Sequence, residues 1–275
     1  MEKETEKANS IAVYIRRFDP EKDEAPRQQQ YTLQVEKGMT VLDGLHMIKQ
    51  TQDPTINFRF SCRMGVCGSC GMMINGVPAL SCNTQILDVT TTALTLAPLP
   101  NFKLIKDLVA DLVPMFGVLK GLQLHIRRND VEEMEKPTYE YYQTPHQLEE
   151  FLQFTYCIKC GCCMAACPTM ATDREYPGPA PLAQAYRYNA DSRDDARDAR
   201  GDLVAASHGI FSCHYAGECS NVCPKGVDPA RAIQLMKKDL VLSYFSLAKH
   251  KCAHLHKKPD KATYKAKIEA PPHTV

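Results

Sequence analysis

The sequence CIKCGCCMAACP, at residues 157–168, constrains how the second half of this 275-residue chain folds. Its cysteines Cys157, Cys160, Cys163 and Cys167 follow the spacing C-x2-C-x2-C-x3-C, and Pro168 comes directly after them. This run is typical of [4Fe–4S] sites, and in proteins with two such clusters the fourth cysteine binds the other cluster. A matching run is therefore expected further along the chain.

The matching run is found by counting back from Cys223 and Pro224, with one position changed. Where the spacing requires a cysteine between Cys213 and Cys219, the sequence has Ala216. If the two runs exchange their fourth ligands, a complete [4Fe–4S] set is formed by Cys157, Cys160, Cys163 and Cys223. The other set then has only three cysteines, Cys167, Cys213 and Cys219. We expect a [3Fe–4S] cluster in the second set, because Ala216 offers no ligand. The alternative is a [4Fe–4S] cluster with water or another side chain at the open corner.

An earlier group of cysteines, Cys62, Cys67, Cys70 and Cys82, has the spacing C-x4-C-x2-C-x11-C. This is the plant-type [2Fe–2S] spacing, in which one loop supplies three thiolates and a neighbouring segment the fourth. Glycines between these cysteines allow the loop to wrap closely around a cluster. A zinc site is the alternative, but it usually needs a second cysteine pair, and Cys82 stands alone.

The composition is that of a folded protein, with 44% hydrophobic residues, 24% charged residues and a formal net charge of +1. The cysteines number 13, so they cannot all pair in disulfides, and the first ten residues lack the apolar segment of a secretion signal. Metal binding is therefore the better interpretation. The most apolar stretch, 104–119, is interrupted by charges and a proline, so no transmembrane segment is expected. A zinc-bearing module that binds nucleic acid or protein is a further alternative, and near-neutral charge argues against nucleic acid.

Local patterns predict several elements. Strands are expected at 11–18, 31–35 and 93–97, a helix capped by Thr40 at 41–50, a hairpin around Asn75-Gly76, and a helix at 229–247. Residues from about 101 to 150 are interpreted as a helix followed by a polar connector. In the segment 191–202, Arg and Asp alternate at spacings of three and four, which favours a solvated helix face.

The combination of these cysteine motifs resembles the iron–sulfur subunit of the succinate dehydrogenase and fumarate reductase family, over nearly the whole chain to about residue 240. The stretches that carry the resemblance are SCRMGVCGSCGM (61–72), INGVPALSC (74–82), YCIKCGCCMAACP (156–168), YPGPAPLAQAYRYNADSRD (176–194) and CSNVCPKGVDPARAI (219–233). The resemblance implies an α+β chain. Its expected parts are a plant-type ferredoxin (β-grasp) domain at 1–100, a helix and connector at 101–146, an all-α bacterial-ferredoxin-like (α-helical ferredoxin) domain at 147–248, and a Lys/His-rich tail at 249–275.

The family resemblance also implies partners. A flavoprotein subunit carrying FAD interconverts succinate and fumarate, and membrane anchor subunits, with or without haem, meet quinone. Electrons then pass from FAD through [2Fe–2S] and [4Fe–4S] to [3Fe–4S] and quinone, or in reverse, and this subunit supplies no catalytic residue. We expect the chain to lie peripherally on the cytoplasmic face of the cell membrane. The competing function is an iron–sulfur carrier for another flavin dehydrogenase that is not membrane-anchored.

Quinone-site residues carried over from the family are Pro168, Thr172, His214 and Lys225. Many ubiquinone-reducing members have Trp at the position of Thr172, and this chain contains no Trp, so a menaquinone-linked member fits as well or better. His214 has two equal alternatives. Its side chain forms a hydrogen bond either to quinone or a cluster sulfur, or to the protein backbone.

The remaining histidines and cysteines are expected to be structural or unassigned. Cys162 is interpreted as a small buried thiol, His208 as a structural residue, and Cys252 is given no role. His250, His254 and His256 lie in the tail, where a solvated segment is a better interpretation than a metal site. The nine lysines from Lys237 onward would suit contact with anionic lipid, and a simple solubilising or anchor-contacting tail explains them equally well.

Overall fold

The computed structural model describes residues 9–138 and 140–245. A five-stranded sheet forms the core of the first half, with the spatial order β2-β1-β5-β3-β4. Strand β1 pairs in parallel with β5, and the other pairings are antiparallel. The strands are β1 (Asn9–Arg17), β2 (Arg27–Val35), β3 (Gly71–Ile74), β4 (Val77–Leu80) and β5 (Ala93–Ala97).

Helix α1 (Val41–Thr51) covers this sheet, and its apolar side chains pack into the same core as those of β1 and β2. The predicted cap is confirmed, because the Thr40 hydroxyl accepts from the Asp43 N–H while the Asp43 carboxylate accepts from the Thr40 N–H. The predicted hairpin is also confirmed. Asn75 and Gly76 both have positive φ, 47° and 83°, as a type I′ turn requires.

The segment after residue 101 differs from its prediction. Instead of a helix, it begins with a small antiparallel ladder, β6 (Leu104–Lys106) and β7 (Val109–Ala110), and helix α3 (Val113–Gly121) starts only afterwards. The short α2 (Ile86–Val89) precedes β5. The turn of the ladder places the Asp107 carboxylate at 1% exposure, where it accepts from Arg17 Nε at 2.8 Å and from the Asn57 N–H at 2.9 Å. This long-range ion pair, which the local pattern does not encode, favours the ladder over a continuous helix.

The second half is built from helices joined by cysteine-bearing loops. Helices α9 and α12 form its centre, and their buried side chains share one core with Phe151 and Phe154. The helices are α4 (Val131–Glu135), α5 (Pro145–Glu149), α6 (Leu152–Thr155), α7 (Cys162–Ala165), α8 (Pro168–Thr172), α9 (Pro179–Asn189), α10 (Arg197–Ala205), α11 (Glu218–Asn221) and α12 (Pro229–Tyr244). Of the two 3-10 turns, Ser81–Asn83 contains Cys82, and Ile210–Ser212 ends directly before Cys213.

The prediction of a solvated helix face at 191–202 is wrong. Only the last part belongs to α10, and Asp191, Asp194 and Arg200 are at most 2% exposed. The Arg200 guanidinium donates to both carboxylate oxygens of Asp194 at 3.0 Å and to Asn189 Oδ1 at 2.6 Å. The ion pairs and hydrogen bonds inside the protein offset the cost of removing these charges from water. The sequence pattern of alternating Arg and Asp is the same for a buried network and for a solvated helix face.

The C-terminal helix begins at Pro229 as predicted and ends at Tyr244. Residues 246–247 of that prediction, the tail at 249–275, Cys252, His250, His254 and His256 lie outside the described residues. Within the described ranges, none of the helices is long and apolar enough to cross a membrane.

Candidate iron–sulfur cluster sites

The first cysteine group lies at one end of the five-stranded sheet. Cys62 and Cys67 belong to the loop before β3, Cys70 immediately precedes that strand, and Cys82 is in the 3-10 turn after β4. The β3–β4 hairpin returns the chain so that Cys70 Sγ and Cys82 Sγ are 3.3 Å apart. The structure therefore brings the loop cysteines and the isolated fourth cysteine to the same place.

Backbone amides of this loop point at the sulfurs. Cys62 Sγ accepts from three N–H groups, those of Met64, Val66 and Cys67, at 3.3–3.4 Å. Cys82 Sγ accepts from the Gly65 N–H at 3.3 Å, where φ is +67°. Such donors stabilise negative charge on sulfur, so this loop has the chemistry that a thiolate-ligated cluster needs.

The acidity of these thiols differs with their surroundings. A hydrogen bond with Ser69 lowers the pKa of Cys67 to about 6. Burial raises the pKa of Cys82 to about 11. A buried thiol with a raised pKa becomes a thiolate when a bound cation offsets its charge, which is how metal binding and proton release are linked.

The second cysteine group surrounds a cavity in the helical half. Gly161, with φ +84°, turns the chain between Cys160 and Cys163, so that both face the same space at the start of α7. Burial raises the pKa of Cys163. The cysteines that line this cavity are Cys157, Cys160, Cys163 and Cys223.

The third group lines a separate cavity between α8, α11 and α12. Its cysteines are Cys167, Cys213 and Cys219, and Ala216 lies on the same wall. Burial raises the pKa of Cys219 to about 11. Cys167 thus faces the cysteines of the second run, while Cys223 faces those of the first, which is the arrangement that the exchange of fourth ligands requires.

A site for a single ion differs from these cavities. Across residues 9–138 and 140–245, no three His, Cys, Asp or Glu side chains are placed to share one metal ion. A cluster of several irons instead needs cysteines spread around a space larger than an ion. The two cavities in the helical half and the sulfur-directed amides of the first loop fit such groups in the type and position of their donors.

The predicted quinone residues are exposed and do not all lie together. Pro168 lines the cavity of the third cysteine group, and His214 follows Cys213 on the surface. The Thr172 hydroxyl is at the end of α8 and donates to the Thr169 carbonyl at 3.1 Å. Lys225 lines the cavity of the second group instead.

Cys162 is fully buried, which confirms the prediction for this residue. It packs among Cys70, Cys82 and Cys160, between the first and second cysteine groups. A hydrogen bond with the Cys162 thiol lowers the pKa of Cys160 to about 7. Its spacing alone does not show that it stands between two sites.

The first and second groups touch through glycine. A β-carbon placed on Gly68 by ideal geometry would lie 2.9 Å from both Cα and Cβ of Cys160, and one on Gly71 would lie 3.1 Å from the Cys160 carbonyl oxygen. The absence of side chains at these positions lets the two cysteine loops approach to backbone contact.

His208 is half exposed and joins two acidic residues. Its Nδ1 is 2.8 Å from Asp173 Oδ2, and its Nε2 is 3.3 Å from Glu175 Oε2. The hydrogen bond with Asp173 raises the pKa of His208. This contact ties the segment after α8 to the segment before the 3-10 turn at Ile210–Ser212, in agreement with the predicted structural role.

Tyr176 is a residue that sequence reasoning missed. It is 3% exposed, and it lines the cavity of Cys167, Cys213 and Cys219. In the sequence, Tyr176 is distinguished only because it begins the stretch YPGPAPLAQAYRYNADSRD, and that stretch does not indicate the direction of the Tyr176 hydroxyl.

Two protein-family models match the chain in the order of its two halves. A 2Fe-2S iron-sulfur cluster binding domain matches residues 12–117, and a 4Fe-4S dicluster domain matches residues 153–227. Together they cover the three cysteine groups.

Curated relatives agree with these matches. The fumarate reductase iron-sulfur subunit of Mycobacterium tuberculosis is 44% identical over 227 residues, which are 82% of this chain and 91% of the relative. That of Haemophilus influenzae is 40% identical over 250 residues, 86% of this chain and 97% of the relative. The mitochondrial succinate dehydrogenase [ubiquinone] iron-sulfur subunit of Candida glabrata is 38% identical over 229 residues, 82% of this chain and 89% of the relative.

A solved structure shares the fold. A chain of the Mycobacterium smegmatis Sdh1 complex in the apo form superposes with a TM-score of 0.75 at 24% identity, covering 86% of this chain and 98% of that chain. With these relatives and the cysteine geometry in agreement, the chain belongs to the family of fumarate reductase and succinate dehydrogenase iron–sulfur subunits, which are electron-transfer subunits of an oxidoreductase complex.

Proposed function

We propose that this chain relays electrons between the FAD of a flavoprotein subunit and quinone at a membrane anchor, through three clusters held in a fixed order. The observation that carries this proposal is the position of the last cysteine of each run, which faces the cavity of the other run. Cys167 faces the cavity of the second run, and Cys223 faces that of the first. This exchange is what a pair of adjacent clusters on two C-x2-C-x2-C-x3-C runs requires.

The proposed ligands follow from the three groups. The [2Fe–2S] cluster takes Cys62, Cys67, Cys70 and Cys82, the [4Fe–4S] cluster takes Cys157, Cys160, Cys163 and Cys223, and the [3Fe–4S] cluster takes Cys167, Cys213 and Cys219. Ala216 supports the last assignment, because its methyl group occupies the cavity wall where the spacing calls for a fourth thiolate.

The finer fold assignment is part of the proposal. The sheet order β2-β1-β5-β3-β4 with α1 across it supports a plant-type ferredoxin (β-grasp) domain. The described residues after α3 form helices and 3-10 turns, which supports an α-helical ferredoxin domain.

When bound, the clusters would supply one-electron chemistry. The residues of this chain hold them, aim amide donors at their sulfurs and exclude water. Cys70 and Cys82 are 3% and 8% exposed, while Cys67 at the rim of the same loop is exposed. The donors at Cys62 and Cys82 favour negative charge at the sulfurs, and burial disfavours it, so the balance of the two sets the potential.

Exposed apolar side chains support a partner at each end of the relay. Beside the [2Fe–2S] loop, Met64 is 71% and Val66 55% exposed, which suits docking to the flavoprotein. Beside the third cysteine group, Tyr215 is 61% and Phe211 54% exposed, which suits docking to the anchor and quinone. The chain would then be peripheral on the cytoplasmic face of the cell membrane, with menaquinone or ubiquinone as partner, and with Pro168, Thr172 and His214 on the anchor side.

The test is to isolate the complex anaerobically from native membranes and record EPR spectra before and after adding succinate. We expect a [3Fe–4S] signal in the oxidised sample that decreases with succinate while a reduced [2Fe–2S] signal appears. If all three clusters are present and succinate leaves them unchanged, the flavoprotein assignment is wrong, and the chain serves another flavin dehydrogenase. A colourless protein that holds zinc and no iron would refute the cluster assignment.

A further inference from the structure

The hydroxyl of Tyr176 is buried without a partner. Tyr176 is 3% exposed, and its hydroxyl lies beside the Cys213 thiol, but within the described part of the chain its Oη makes no hydrogen bond of good geometry. Buried polar groups in folded proteins are nearly always paired, so an orphaned hydroxyl calls for an explanation such as an absent ligand.

The position of this hydroxyl suggests which ligand is concerned. Tyr176 lines the same cavity as Cys167, Cys213 and Cys219, on the wall provided by the loop that leads into α9. A tyrosine hydroxyl keeps its proton near neutral pH and is a donor. Sulfur with negative charge is the acceptor that this cavity would contain once iron is bound.

We propose that Tyr176 Oη donates a hydrogen bond to a sulfur of the cluster held by Cys167, Cys213 and Cys219, and thereby raises the reduction potential of that cluster. This inference rests on the proposed assignment of a [3Fe–4S] cluster to the third cysteine group. A reduced cluster carries one more negative charge than an oxidised one, so a donor stabilises the reduced form more. Tyr176 is thus a residue that tunes the last step before quinone, and it supplies no ligand.

Backbone donors share this task. The Tyr215 N–H donates to Cys213 Sγ at 3.4 Å, and Tyr215 lines the same cavity. That contact does not depend on a side chain, whereas the donor at Tyr176 can be removed by a single atom change. The two contributions can therefore be separated by mutation.

The decisive variant is Tyr176→Phe in the membrane-isolated complex, which removes one oxygen and keeps the ring. The readout is an EPR-monitored redox titration of the [3Fe–4S] signal. We expect the ratio of reduced to oxidised cluster at a fixed potential to fall by up to about tenfold, which corresponds to a midpoint about 59 mV more negative for a one-electron couple. The [2Fe–2S] midpoint in the same sample should stay unchanged.

A matched control is Tyr186→Phe. Tyr186 is also buried in the helical half, but its ring packs edge-on against Phe154, away from the cavity of the third cysteine group. We expect the [3Fe–4S] midpoint of this variant to equal that of the unsubstituted protein.

A second variant keeps the test decisive if Tyr176→Phe fails to retain its cluster. Site-specific 3-fluorotyrosine at position 176 preserves shape and makes the hydroxyl a stronger donor, so the midpoint should shift in the positive direction. Unchanged midpoints in the cluster-bearing variants would overturn the inference. Absence of a [3Fe–4S] signal in the unsubstituted complex would instead overturn the proposed function.

Discussion

Replacing Gly68 by alanine should separate the [2Fe–2S] loop from the loop of the second cysteine group. Gly68 has φ +76°, and a β-carbon there would lie 2.9 Å from Cα and Cβ of Cys160 and 3.0 Å from the Ile158 carbonyl oxygen. The neighbours are backbone atoms and a buried cysteine, so they cannot rotate away as the end of a flexible side chain would.

The size of the displacement follows from these distances. Carbon atoms in contact prefer a separation of about 3.5–4.0 Å, so the two loops must move apart by about 0.6–1.1 Å. The left-handed backbone adds a cost of roughly 1–2 kcal/mol for a residue with a side chain. Magnetic dipolar coupling falls with the cube of distance, so such a movement weakens the coupling between the two clusters.

The assay is the EPR line shape of the reduced [2Fe–2S] cluster in the presence of reduced [4Fe–4S], together with the rate at which electrons pass between them. Two variants separate the causes. Gly71→Ala introduces a 3.1 Å contact with the Cys160 carbonyl without a positive φ, and Gly76→Ala introduces strain at φ +83° with nothing within 4 Å. We expect weaker coupling for Gly68→Ala and Gly71→Ala, and unchanged coupling for Gly76→Ala.

One result would refute this reasoning. If Gly68→Ala and Gly71→Ala bind both clusters in full and show the coupling of the unsubstituted protein, then the contact at Cys160 does not determine the distance between the clusters.

Three further predictions concern the helical half. Arg200→Ala should destabilise the protein by about 3–5 kcal/mol, because the buried Asp194 carboxylate loses its partner; urea titration of the visible cluster absorbance measures this. Asp173 raises the pKa of His208, so the ion pair between them stabilises the folded protein fully below pH 6.5, and this stabilisation is lost as pH rises through the pKa of His208 in the folded protein. His208→Gln should abolish this part of the pH dependence of the urea midpoint. Ala216→Cys should convert the [3Fe–4S] signal into that of a [4Fe–4S] cluster, and an unchanged oxidised-state EPR signal would contradict the proposed open corner.

The elements that were predicted well depend on short-range chemistry. The capping box at Thr40 and the type I′ turn at Asn75-Gly76 each involve atoms within a few residues, so the pattern contains the whole interaction. The strand β2 is longer than predicted, since it begins at Arg27, where polar residues pair with β1. Its extension depends on the partner strand, and the sequence of β2 does not show it.

The errors occurred where distant residues determine the outcome. The ladder at 104–110 is held by Asp107 and Arg17, which are 90 positions apart. The charges around Arg200 are buried because α9 and α12 pack nearby, and an alternating pattern of Asp and Arg does not distinguish an internal ion pair from a solvated surface.

The sequence by itself predicted which cysteines belong together, since cysteine spacing is a covalent property of the chain, and it put Ala216 where the spacing calls for a further cysteine. Only the tertiary structure decided what surrounds those ligands. The contact of Gly68 with Cys160, the burial of Cys162 between two groups and the orphaned hydroxyl of Tyr176 all arise from packing between segments far apart in the chain. The physical reason is that ligand spacing is local, whereas burial and approach are set by the whole fold.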